Sequence, residues 1–79
     1  MNAAPSISPP PPTDWCMLKA WAAKVRDQED LPPIVREYGL VLSQTLDVEE
    51  QCRKNSPYLA AQLRITAGCL AKTIMELGS

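Results

Sequence analysis

The stretch CRKNSP, Cys52–Pro57, decides the fold. Arg53 and Lys54 bring positive charge to a place that suits the negative end of a helix. Asn55 tolerates the left-handed conformation in which many helices end. Ser56 is a capping residue, and Pro57 fits the first helical position, where a missing N–H leaves no bond unmade. One helix is therefore expected to stop here and another to start. So short a connection makes the two helices antiparallel neighbours.

Upstream, the helix expected over 32–54 carries Pro32 and Pro33 in its first turn, with Asp30 as its expected cap. Ile34, Tyr38, Val41, Thr45, Val48 and Cys52 step by 4, 3, 4, 3, 4, a heptad-like seam. Val35, Leu42 and Leu46 widen it into a stripe broad enough for two neighbours. Gly39 weakens this helix by about 1 kcal/mol relative to alanine, and the compensation expected is close approach of another helix.

Downstream, the helix expected over 57–77 has the same spacing in Leu59, Leu63, Thr66, Leu70, Thr73 and Leu77, with Gly78 as a left-handed terminal cap. This row is expected to pack across the hairpin on the Ile34–Val48 seam, so that Leu63 is buried between the two helices. Ile65, Gly68, Cys69 and Met75, with Val35 and Leu46 from the preceding helix, are then the candidates for an oligomer or partner interface. A further helix is expected over 14–28, begun by Thr13 or Asp14. Trp15, Leu18, Ala22 and Val25 form its apolar face, widened by Met17 and Trp21. No segment alternates with period two, so no sheet is expected.

Five of the eight prolines fall in the first twelve residues, MNAAPSISPPPP, which read as an extended proline-rich arm. Residues 13–79 are left as one three-helix domain. The expected fold is all-α, an antiparallel helical hairpin plus an N-terminal helix. Homo-oligomerisation is expected to complete it, because a chain of 79 residues gains most by enlarging its core.

Composition narrows the chemistry. There is no histidine, and Cys16, Cys52 and Cys69 are odd in number, without disulfide or metal-ligand spacing. They read as small buried apolar residues of a reduced protein. Glu49 and Glu50 are adjacent on a helix and diverge by about 100°. No phosphate-cradling glycine motif is present. The expectation is a protein that is not an enzyme, with no cofactor, no metal and no catalytic residue. A net charge of −1 offers no strong field for polyanions. Lys19, Lys24, Arg26 and Arg36 are the DNA-contact candidates, should the first helix lie beside the start of the second. Acidic residues are interleaved with them, so repetition in an oligomer would be needed for their contacts to add up. With no apolar run near the roughly 20 residues that span a bilayer, a soluble, cytoplasmic protein without a membrane partner is expected.

The second half, DLPPIVREYGLVLSQTLDVEEQC followed by SPYLAAQLRITAGCLAKTIMELG, resembles the C-terminal part of bacteriophage terminase small subunits. The resemblance is carried by an Asp-Leu-Pro opening, Val35–Tyr38, Ser56–Leu59, the Leu63–Arg64 pair, Leu70–Lys72 and the closing Glu76–Gly78. Pro9–Trp21, a proline-rich leader before a tryptophan-containing helix, extends it to residues 9–78. It implies a non-catalytic role in viral DNA packaging in a bacterial host. Such subunits form ring-like homo-oligomers, engage double-stranded DNA at the start of the viral genome and regulate the large terminase subunit. The alternative, from the residues alone, is a small helical interaction module or inhibitor that docks a partner through an apolar helix face.

Overall fold

The computed structural model describes residues 14–78; the proline-rich arm and Thr13 lie outside them. Three helices follow in order, α1 (Trp15–Asp27), α2 (Pro33–Asn55) and α3 (Pro57–Leu77), and the described residues hold no strand. The fold is all-α.

The helix boundaries lie within one residue of those expected, but four of the devices that set them differ. Asp14 begins α1, its carboxylate accepting from the N–H groups of Cys16 (2.8 Å) and Met17 (3.1 Å). Asp30 does not cap α2. The residue before its first turn is Pro32, whose carbonyl accepts from Val35 N and Arg36 N, while Pro33 occupies the first helical position. Asn55 is helical, not left-handed, so Ser56 alone separates α2 from α3. Ser56 joins them through its backbone and not its side chain: its N–H donates to Cys52 O (2.7 Å) and its carbonyl accepts from Ala60 N (2.9 Å). Gly78 is right-handed, with φ −88° and ψ −3°.

Helices α2 and α3 form the antiparallel hairpin, and α1 packs along α2. The core gathers Leu18, Ala22 and Val25 of α1, Leu31 of the connection, Val35, Leu42 and Leu46 of α2, and Ala67, Ala71 and Ile74 of α3. Trp15, Trp21, Tyr38 and Leu70 rest against it, half-buried. Met17, expected to widen the α1 face, is exposed. The three cysteines are also more open than their setting suggested: Cys16 and Cys69 are exposed and Cys52 is half-buried, all as free thiols.

Gly39 is where α1 comes closest. A Cβ added there would lie 2.9 Å from both Arg26 N and Val25 Cγ1, and 3.2 Å from Ala22 O. Two of these three atoms are backbone, so a side chain at this position would push the helices apart. The absent Cβ weakens α2 locally and lets α1 seat Ala22 and Val25 against it. On the α2–α3 side, Ala60, Ala67 and Ala71 keep the buried face of α3 thin.

Candidate functional site

The core uses one apolar face of α2 and leaves another open. The seam expected to bind α3 is largely exposed: Ile34 is 56%, Val41 40% and Val48 45% exposed. The matching row of α3 is likewise open at Leu59 (47%) and Leu77 (44%), with Leu63, Leu70 and Thr73 half-buried. The two rows therefore do not face each other. Val35, Leu42 and Leu46 of α2, and Ala67 and Ile74 of α3, take the buried positions instead.

The two rows lie on the same side of the hairpin. At about 100° per residue, each is rotated in the same sense, by roughly 90–120°, from the buried face of its own helix. Equal rotations in an antiparallel pair bring both rows out on one side. Helix α1 occupies the other side, since Gly39, Arg36, Asp47 and Glu50, which meet it, lie across α2 from the row. The open face is thus built from six exposed positions, Ile34, Val41, Val48, Leu59, Thr66 and Leu77, with six half-buried ones of the same rows between them, and none of the twelve is charged. Thr45, Thr66 and Thr73 add little polarity to it, because their hydroxyls donate to the carbonyls of Val41, Gln62 and Cys69 four residues back.

The expected interface residues divide. Val35 and Leu46 belong to the monomer's own core, at 1% and 2% exposed, and are unavailable to a partner. They are the broadening half of the α2 stripe, and it is this half that the hairpin and α1 cover. Ile65, Gly68 and Cys69 are exposed on α3 and Met75 is half-buried. A Cβ at Gly68 would meet nothing within 4 Å. At about 100° per residue Gly68 and Met75 lie across α3 from the open face, and Ile65 and Cys69 between the two.

The basic candidates are drawn into intramolecular contacts. Lys19 Nζ sits 2.6 Å from Asp47 and 3.0 Å from Glu50, and these carboxylates hold the ammonium pKa above its ordinary value. Arg26 makes two hydrogen bonds to Asp27, at 3.0 and 3.1 Å, lowering the aspartate pKa. Arg36 Nε donates to the Arg26 carbonyl (3.2 Å), so it serves as a C-terminal cap of α1 supplied from α2. Lys24 is exposed. Arg26 and Arg36 also line a shallow cleft of about 310 Å³ with Pro33, Glu37 and Leu40, where Glu37 offsets their charge.

One polar centre escaped the sequence reading. Glu49 is fully buried. Its carboxylate accepts from Arg53 Nε and Nη2 and from Arg64 Nη1, each at 2.8 Å. The Arg53 hydrogen bonds, with the one from Arg64, hold its pKa below the ordinary value against the opposing effect of burial. The i, i+4 spacing of Glu49 and Arg53 was a visible signal, but the long-range partner Arg64 was not. Among the described residues no cluster of three metal-ligating side chains occurs, and no helix is long and apolar enough to cross a membrane.

Comparisons of the chain with protein-family models, with curated proteins and with solved structures find no match.

Proposed function

We propose that this chain is a non-catalytic assembly subunit that works by protein–protein contact through the open face of its hairpin. The observation that carries this reading is the pair of uncharged, heptad-spaced rows that lie side by side on α2 and α3, each with three of its six positions exposed. A contiguous apolar surface of this kind marks a site of association. The specific form proposed is a DNA-packaging small subunit like those of phage terminases, which the chain resembles over residues 9–78. In that role it oligomerises and engages the large terminase subunit, and DNA contact is secondary.

Engagement of Lys19, Arg26 and Arg36 within the protomer favours protein contact over direct phosphate contact. It also gives weight to the second reading, a helical module that docks one partner protein. Light scattering after size exclusion, at tens of micromolar, tests the first reading: an oligomer is expected and a strict monomer overturns it. A DNA titration at two salt concentrations then separates the roles. Affinity that falls steeply with salt assigns phosphate contacts to the oligomer, and salt-independent absence of binding removes DNA from the function.

A further inference from the structure

We propose that the occupant of the open face is a second copy of this chain, placed by a two-fold axis that crosses α2 and α3 at right angles, giving an antiparallel four-helix bundle. This rests on the open face being an assembly surface, and adds which partner covers it and in what geometry.

Three observations choose this occupant. First, both rows repeat with the 3.5-residue period that interlocks with helices of the same period. The partner must therefore present two such rows about one helix diameter apart, as this chain itself does. Second, the face carries no charge, so its complement carries none either. Third, the size fits: each row spans about 27 Å, and two adjacent helices make it about 20 Å wide. The accessible surface of such a corrugated footprint is of the order of the ~800 Å² per partner that a stable interface buries.

The register of the hairpin then selects the axis. Glu49 and Arg64 join the helices seven and eight residues either side of Ser56. Counted from there, Ser43, midway along the α2 row, lies level with Leu70. The midpoint of the α3 row is Gly68, only about 3 Å away along the helix. A single perpendicular axis therefore passes close to both midpoints. It lays each helix antiparallel on its own copy, with Leu63 near Thr73 and Thr66 near Leu70 of the second copy, so that a leucine meets a threonine at the central levels, and Leu59 near Leu77 at the ends. It also lays Ile34 over Cys52 of the second copy.

That last pairing is the test. Within one chain Ile34 and Cys52 are about 27 Å apart along α2, so a disulfide between these positions is necessarily intermolecular. Cys16 and Cys69 are exposed and are first replaced by serine in the full-length chain. Ile34→Cys is then added and the protein is mildly oxidised. A covalent dimer is expected on non-reducing gels, and it should vanish when Cys52→Ser is added. In the double-serine background with Cys52→Ser, the pair Leu63→Cys with Thr73→Cys should cross-link by the same geometry. It gives an independent readout if the Ile34 variant folds poorly. An oligomer by light scattering that forms neither cross-link overturns the two-fold geometry and leaves the assembly reading standing. A strict monomer overturns both, and a monomer that binds another protein through this face assigns the occupant to that protein.

Discussion

Glu49 of α2 and Arg64 of α3 meet at 2.8 Å across the hairpin, with the carboxylate fully buried and Arg53 holding its other side. Glu49 is withdrawn from water, yet its oxygens accept three hydrogen bonds. The two guanidinium groups reach partly into water, so the cluster is desolvated mainly at the carboxylate. Such a centre fixes which residues of α2 lie level with which residues of α3, because a shift of one turn would strand the charge.

Removing both arginines should therefore be costly. Arg53→Ala with Arg64→Ala leaves a buried carboxylate unpaired and is expected to destabilise the protein by about 3–5 kcal/mol. Either single replacement should cost clearly less, since one guanidinium remains. Urea denaturation of the three variants measures this, and additive small losses would mean that Glu49 finds water instead.

The same cluster sets the acid limb of stability. The folded-state pKa of Glu49 lies below its ordinary value of 4.5, with the Arg53 hydrogen bonds as the largest cause. The unfolded chain therefore binds its proton first as pH falls. The contribution of Glu49 is fully present above about pH 4.5 and is lost as pH drops through the depressed folded value. Asp27, lowered by Arg26, acts in the same direction but from an exposed site. Stability measured against pH should fall on the acid side, and the fall should flatten in the Arg53→Ala, Arg64→Ala variant.

The two helical glycines should respond with opposite signs. Alanine at either position gains about 1 kcal/mol of helix propensity. At Gly68 nothing opposes the gain, so Gly68→Ala should stabilise the monomer by about 0.5–1 kcal/mol. At Gly39 the new Cβ would strike Arg26 N and Val25 Cγ1, and overpacking of this kind costs about 1–3 kcal/mol. Gly39→Ala should be net destabilising, with α1 displaced, as read by thermal melts and by increased exposure of Trp21.

Charge on the open face should separate assembly from folding. Val41→Glu and Val48→Glu replace exposed side chains, so each protomer should stay helical while the oligomer dissociates. Leu42→Ala, one residue from Val41 but fully buried, should instead cost about 2–5 kcal/mol of protomer stability. Circular dichroism with light scattering on the three variants makes the comparison. Unchanged mass in both glutamate variants would remove the face from the assembly.

The sequence by itself determined the helices and where they begin and end, because these depend on local chemistry. Pro33, Pro57 and Asp14 act through neighbouring backbone groups, and a one-residue break at Ser56 leaves the chain no option but to fold back. It also marked Gly39 as a place of close approach. Tertiary structure decided which side of each helix is inside. Helical periodicity says which residues share a face, but α2 has two apolar faces, one through Val35, Leu42 and Leu46 and one through Ile34, Val41 and Val48. The first is buried because it lies toward Gly39, which admits α1, and toward the small alanines of α3, with Glu49 locking the register. Backbones approach most closely where side chains are smallest, and that choice left the regular heptad rows facing outward.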